Sequence, residues 1–303
     1  MRANAAALCF GILLASAGAS AGASAQNNPQ PQTVSSTQPR SNTTSPDYAA
    51  IYCSDLVTDA KVDSEMRLVS GEESSIKVVF ARGDVVYLSK GSSQGVKVGD
   101  RFSVIRPETD PTKVQWFKWQ DKLMKAMGTL YVDTGQLQVI SVQPNVSTAV
   151  ITFSCEYMQR GDIVRPMQDR PSPPFKPASE FNQFAPVSGK SVGMIVTGKQ
   201  FAQMFGKFSI AFVNLGTNQG VREGEYMRFF RYEGSMSETV PNTEGYQYQL
   251  YGFGSTPQKY TWKDLPRNVL GEGIVINVSP NSSTLFVTYS RMDMYAGDYA
   301  EVE

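Results

Sequence analysis

Two aspartates, Asp162 and Asp298, each follow a glycine, in Arg160-Gly161-Asp162 and Ala296-Gly297-Asp298. A pair of carboxylates is the least that general acid–base hydrolysis needs. These two, however, stand at matching places of a repeated segment. Matching residues of a repeat converge only when the two domains face each other across a two-fold axis. An Asx-type turn closing a strand is the reading their surroundings favour. Glu72-Glu73 reads as a solvated charge pair. The chain contains no histidine. Its absence removes the commonest general base, the Ser-His and Cys-His nucleophile systems and the usual zinc ligand. No catalytic residue, cofactor or metal ligand is assigned, and a carboxylate-based hydrolase stays only as the weakest reading.

A glycine phrase invites a phosphate-loop reading. Gly91-Ser-Ser-Gln-Gly95-Val-Lys-Val-Gly99-Asp100 returns as Gly216-Thr-Asn-Gln-Gly220-Val-Arg-Glu-Gly224-Glu225. A P-loop needs Lys then Ser or Thr after its last glycine, and here an acid follows that would repel phosphate. The phrase is therefore expected to be a bend, with Gly95, Gly99, Gly220 and Gly224 as structural turn residues. Asn145 and Asn281 belong to a second repeated turn, Pro144-Asn145 and Pro280-Asn281.

Aromatic residues are the candidates for binding. Trp116, Phe117 and Trp119 gather in one interval, and Tyr246, Tyr248, Tyr251, Phe253, Tyr260 and Trp262 in the matching interval of the second copy. Such side chains bind glycans by stacking and proteins by contact area. The competing reading, which is favoured, is that they lid their own domains or join the two. Trp116, Trp119, Leu123 and Met127 recur at spacings of three and four, which predicts one face of a short helix.

The elements that must position these residues are strands. Phe102 and Val104 alternate with Ser103, as Met227 and Phe229 do with Arg228. Ala149, Ile151 and Phe153 alternate like Leu285, Val287 and Tyr289, which predicts a face turned inward. Gly135–Asp162 runs without a gap alongside Gly271–Asp298. Two blocks in the same order, twice, predict a duplicated domain. The expected fold is mainly β, two tandem small SH3-like β-barrels at 47–168 and 190–303, with short helices in the insertions. OB-like barrels or small sandwiches are the alternative. The joint at 169–189 is Pro-rich and extended, and its phenylalanines predict packing on a barrel.

Residues 1–25 read as a signal peptide: Arg2, an apolar run from Ala5 to Ala17, and Ala23-Ser24-Ala25 as the cleavage site. The run is too short to span about 30 Å of hydrocarbon, so no transmembrane segment is expected after cleavage. Residues 26–46 are polar and Pro-rich, a disordered linker. Basic and acidic residues balance at 28 each, which disfavours nucleic acid. Beyond the signal, two cysteines remain, Cys53 and Cys155, and an exported chain favours their bridging.

The order strand, Gly-x-x-x-Gly-Val-Lys-x-Gly-Asp, strand, Pro-Asn-x-Ser-Thr hairpin, Gly-Asp resembles the C-terminal domain of bacterial flagellar assembly protein T, a small SH3-like barrel. It is also similar to exported acidobacterial proteins of unassigned function. The likeness rests on 84–106, 135–164 and their second copies, and the aromatic intervals depart from it. It implies the periplasm or outer-membrane periphery of a Gram-negative-type bacterium and transfers no catalytic residue. The expected function is a non-enzymatic cell-envelope scaffold or protein-binding module. Its partner would be an envelope protein or assembly, flagellar or outer-membrane associated. The alternative is a peptidoglycan- or glycan-binding module.

Overall fold

The alternating segments form strands that roll into two large sheets, each accompanied by a two-stranded ribbon. A computed structural model describes residues 44–112, 114–177, 181–232 and 266–303. A short helix, α1 (Tyr48–Tyr52), opens the described chain and is capped by Asp47, whose carboxylate accepts from the Ala50 N–H at 2.7 Å. The first copy contributes β1 (Leu56–Thr58), β2 (Leu68–Gly71), β3 (Val79–Phe80), β4 (Val85–Leu88) and β5 (Arg101–Glu108). After helix α2 (Gln120–Met127) come β6 (Thr129–Val142), β7 (Ser147–Ser154), β8 (Met158–Gln159) and β9 (Ile163–Pro166). The second contributes β10 (Val192–Gly198), β11 (Met204–Phe205), β12 (Ile210–Val213), β13 (Tyr226–Tyr232), β14 (Arg267–Val278), β15 (Ser283–Ser290), β16 (Met294–Tyr295) and β17 (Tyr299–Val302).

In the second copy, β10-β12-β15-β14-β13-β17 close into a barrel. The first copy has the corresponding order, β2-β4-β7-β6-β5-β9, with β1 added to β6. Its two ends are joined by the Arg67–Ile163 bridge and by the Leu68 N–H donating to Asp162 O at 3.0 Å. The matching bond in the second copy is Ile195 N–H to Asp298 O at 2.9 Å. Each rolled sheet encloses its inward-facing side chains. Phe80, Leu88, Val104 and Ile151 are buried in one, Phe205, Val213, Phe229 and Val287 in the other. Burying such side chains is the main favourable term in folding.

The alternation holds as far as Ile151 and Val287 and then breaks. Phe153 and Tyr289 are half-buried on the outside, the first against Tyr48 and the second against Phe181. A register shift lies between Gln136 and Leu137, and another between Glu272 and Gly273. An extra residue in one strand of an antiparallel pair turns every later side chain to the other face.

The glycine phrases are bends. Each makes a single 3-10 turn, Ser92–Gln94 or Thr217–Gln219, followed by a glycine at positive φ, +86° at Gly95 and +82° at Gly220. Gly99 and Gly224 are also left-handed. There a side chain would cost roughly 1–2 kcal/mol. The following acid closes the bend: Asp100 accepts from the Lys97 N–H at 2.9 Å and Glu225 from the Arg222 N–H at 3.0 Å. Exposed Asn145 stands in the hairpin turn beneath the first phrase, which receives a bond from the Ser93 N–H at Pro144 O. Asn281, its counterpart, donates to Asp59 at 2.6 Å.

Cys53 and Cys155 are joined in a disulfide across 102 positions, tying the segment after α1 to the end of β7. Residues 44–46, the end of the expected linker, are placed against the Pro-rich joint. The Phe175 N–H donates to Thr44 O at 2.7 Å, and the Ser172 hydroxyl to Pro46 O at 2.6 Å. The joint is pinned at both ends. Arg170 reaches Asp133 of β6, and Lys176 bridges Glu272 and Glu303 of the second barrel. Both sheets lie within one compact unit, residues 43–303. Among the described residues no helix is long and apolar enough to cross a membrane. The expected signal peptide, and most of the expected linker, lie outside the described residues.

Candidate functional site

The two Gly-Asp carboxylates do not converge; each is forked by its own arginine. Arg106 donates from Nε and Nη2 to the two oxygens of Asp162, both at 2.8 Å. Arg231 does the same to Asp298 at 2.7 and 2.6 Å. Both aspartates are buried, and one oxygen of each also accepts a backbone N–H three residues earlier, from Gln159 and Tyr295. These carboxylates hold the last strand of each sheet to β5 or β13. The arginines occupy matching places in the two copies of the sequence, and that match was the available signal for the forks.

A second carboxylate pair does converge, and it is one that motif reasoning passes over. Asp55 and Asp133 are both buried and bond reciprocally through their backbones. The Asp55 N–H donates to Asp133 at 3.1 Å, and the Asp133 N–H to Asp55 at 3.0 Å. Arg170 forks Asp133 at 2.8 and 2.9 Å. Asp55 has no arginine fork among the described residues, and Lys199 of the second barrel donates to the neighbouring Cys53 O at 2.5 Å. Burial pushes the Asp55 carboxyl up from 3.8 to about 7, with Lys199 opposing and Asp133 reinforcing the rise. The cavity beside Asp133, lined by Tyr52, Arg165 and Arg170, measures about 20 Å³. That is room for about one water and for no substrate. The pair ties the leading segment to β6 of the first sheet.

The aromatic interval of the first copy divides. Helix α2 begins at Gln120, so Trp116 and Trp119 are not on its face as their spacing predicts. Trp119 stands at the N-cap with φ of +82°, a left-handed backbone that ends helical continuity on its N-terminal side. Gln120 fixes the entry: its side chain accepts from the Trp116 N–H at 2.7 Å. It donates to Val196 O at 2.7 Å and to Gln203 at 2.8 Å. Leu123 and Met127 then pack on Val196 and Phe212 of the second barrel. Phe117 packs against the second barrel's core cluster. Trp116 and Trp119 stay 42% and 52% exposed. Trp119 carries Lys118 and Lys122 over its ring, at 5.1 and 4.2 Å from the centroid.

Trp116 lines an open cleft of about 780 Å³. One wall is the end of β5 and the loop after it, Pro107 to Thr112. The other is the turn from Gln200 to Met204 of the second barrel. Pro107, Pro111, Trp116, Phe201 and Met204 supply apolar surface. Glu108 and Asp110 supply carboxylates that make no ion pair among the described residues. Of the predicted binding residues, the cleft takes Trp116 alone. Tyr246, Tyr248, Tyr251, Phe253, Tyr260 and Trp262 lie outside the described residues. Among the described residues no group of three metal-ligating side chains gathers. No family model matches the chain, and no curated protein does.

Proposed function

We propose that this chain is a non-enzymatic, exported cell-envelope protein, a scaffold in which two SH3-like barrels present a protein-binding cleft. The observation that carries this reading is the division between neighbours. Phe117 is spent on the contact with the second barrel, whereas Trp116, one residue away, is left exposed on a cleft with apolar walls and two carboxylates that make no ion pair among the described residues. An exposed tryptophan in a concave site is a strong anchor for a partner. The walls come from both barrels, so the cleft keeps its shape only while the barrels keep their relation. The disulfide, Arg170, Lys176 and α2 all serve that relation. The disulfide suits an oxidising compartment, and the resemblance to the flagellar assembly protein T domain supports tandem barrels in the periplasm.

Affinity capture from a solubilised envelope fraction tests the reading. A discrete protein retained by the wild type and lost with Trp116→Ala is the expected result; a protein retained equally by both excludes the cleft. The exposed indole also favours a second reading, stacking on peptidoglycan sugars. Retention on purified cell wall that Trp116→Ala abolishes would select it. No retention, or retention indifferent to that change, removes it.

A further inference from the structure

The outer face of the first sheet holds one cation more than its carboxylates neutralise. Ser103 of β5 pairs with Gln136 of β6 on one side and with Arg165 of β9 on the other, so the three form a row across neighbouring strands. The matching row of the second barrel is Glu272, Arg228 and Glu301. There three cations, Arg228, Lys176 and Arg267, meet three carboxylates, Glu272, Glu301 and Glu303. In the first sheet Arg170 is matched by Asp133, but half-buried Arg165 makes no ion pair among the described residues. Burial lowers its guanidinium from the ordinary value; Asp133 opposes the fall and Arg170 adds to it. Arg165 lines the cavity of about 20 Å³ together with Gln136, Ser103, Tyr52 and Arg170. Donors dominate that lining. Gln136 is 4% exposed; its Oε1 accepts from the Tyr48 hydroxyl at 2.7 Å, and its Nε2 is buried with no partner among the described residues. The Ser103 and Tyr52 hydroxyls accept from Arg165 Nε at 3.2 Å and the Arg170 N–H at 3.1 Å, so each keeps its own proton to donate. The Asp133 oxygens are taken by Arg170 and the Asp55 N–H.

We propose that this cavity binds one monatomic anion, chloride. Arg165 supplies the compensating charge, and the Gln136 amide with the Ser103 and Tyr52 hydroxyls supplies neutral donors. A water would satisfy the amide and leave the guanidinium uncompensated, whereas a charge drawn out of solvent is stable when it is paired. The volume admits about one water-sized particle, which excludes sulfate and phosphate. The second barrel needs no such ion, because Glu301 stands where the first sheet has Arg165 and is already paired with Arg267. The donors come from α1, from the first sheet and from the Pro-rich joint, so the anion fastens the joint to the sheet. The site shares no residue with the Trp116 cleft and stands or falls apart from the proposed function.

Chloride nuclear magnetic resonance on the full signal-free chain reads the site directly. The wild type should broaden the chloride line, and added bromide should reverse the broadening by competition. Arg165→Gln should weaken binding by about tenfold or more, as loss of a hydrogen bond to a charged group does. Gln136→Leu keeps the volume, removes the amide and should weaken binding as well. Arg82→Gln, which removes an exposed arginine elsewhere, should leave the broadening intact. Thermal unfolding at constant ionic strength, with chloride replaced by gluconate, gives a second reading. The wild-type midpoint should rise with chloride and level off, as it does for a ligand of the native state, and the Arg165→Gln midpoint should not respond. Circular dichroism establishes that each variant is folded. No broadening by the wild type, or a midpoint indifferent to chloride, would overturn the proposal. So would broadening that the folded Arg165→Gln and Gln136→Leu variants retain in full.

Discussion

Arg106 and Arg231 show why a repeated charge is a structural statement here. Each neutralises an aspartate that is nearly sealed from water, so removing the arginine leaves an uncompensated charge. Arg231→Ala is expected to cost about 3–5 kcal/mol, the usual result of breaking a buried pair from one side. In urea denaturation its midpoint should fall while the slope stays constant; an unchanged midpoint would mean that the fork carries no stability. Asp55 makes the opposite kind of prediction. Its carboxyl titrates near 7 in the folded chain against 3.8 in an ordinary setting. Between those values the native state binds the extra proton, so stability falls as pH rises from about 4 to about 7 and then levels. Asp55→Asn keeps an oxygen for the Asp133 N–H and removes the charge. It should flatten that slope and stabilise the protein at pH 8; a variant with the wild-type slope would place the titration elsewhere.

At the scale of elements, local rules carry far and long-range pairing does not. Gly95 and Gly220 are legible because a positive φ admits few residues but glycine, and the rule needs no knowledge of the rest of the chain. The inward positions of β5, β7, β13 and β15 are legible from alternation up to the register shifts. Phe153 and Tyr289 are misread because a bulge is set by the partner strand. The start of α2 is misread because spacing alone does not reveal that Trp119 takes a left-handed backbone. The Asp55–Asp133 tie joins residues 78 positions apart, and nothing in either neighbourhood announces the other. The disulfide is legible from the expected export of a chain with two cysteines beyond its signal, and its worth follows from its reach. A loop of this length contributes about 4 kcal/mol in the chain-entropy view. Mild reductant should therefore lower the thermal midpoint of the wild type and leave Cys53→Ser with Cys155→Ser unaffected; equal midpoints with and without reductant would show that the bridge is dispensable.

For the whole molecule, the rolled first sheet and the closed second barrel act together. The Pro-rich joint is held by Arg170 on one side and Lys176 on the other, and α2 of the first copy sits on the second barrel. This fixed relation brings Pro107–Thr112 to face Gln200–Met204. A cleft made of two distant segments has no signature in either, so only Trp116 pointed to it from the sequence. The most direct measurement is site-specific photocrosslinking in the native envelope, with a photoreactive phenylalanine analogue placed at 116, and separately at exposed Val98 and Ile140 as controls. A discrete adduct is expected from position 116 alone, suppressed by excess wild-type protein and not by Trp116→Ala. No adduct at 116, or the same adducts from the control positions, would contradict a binding role for the cleft.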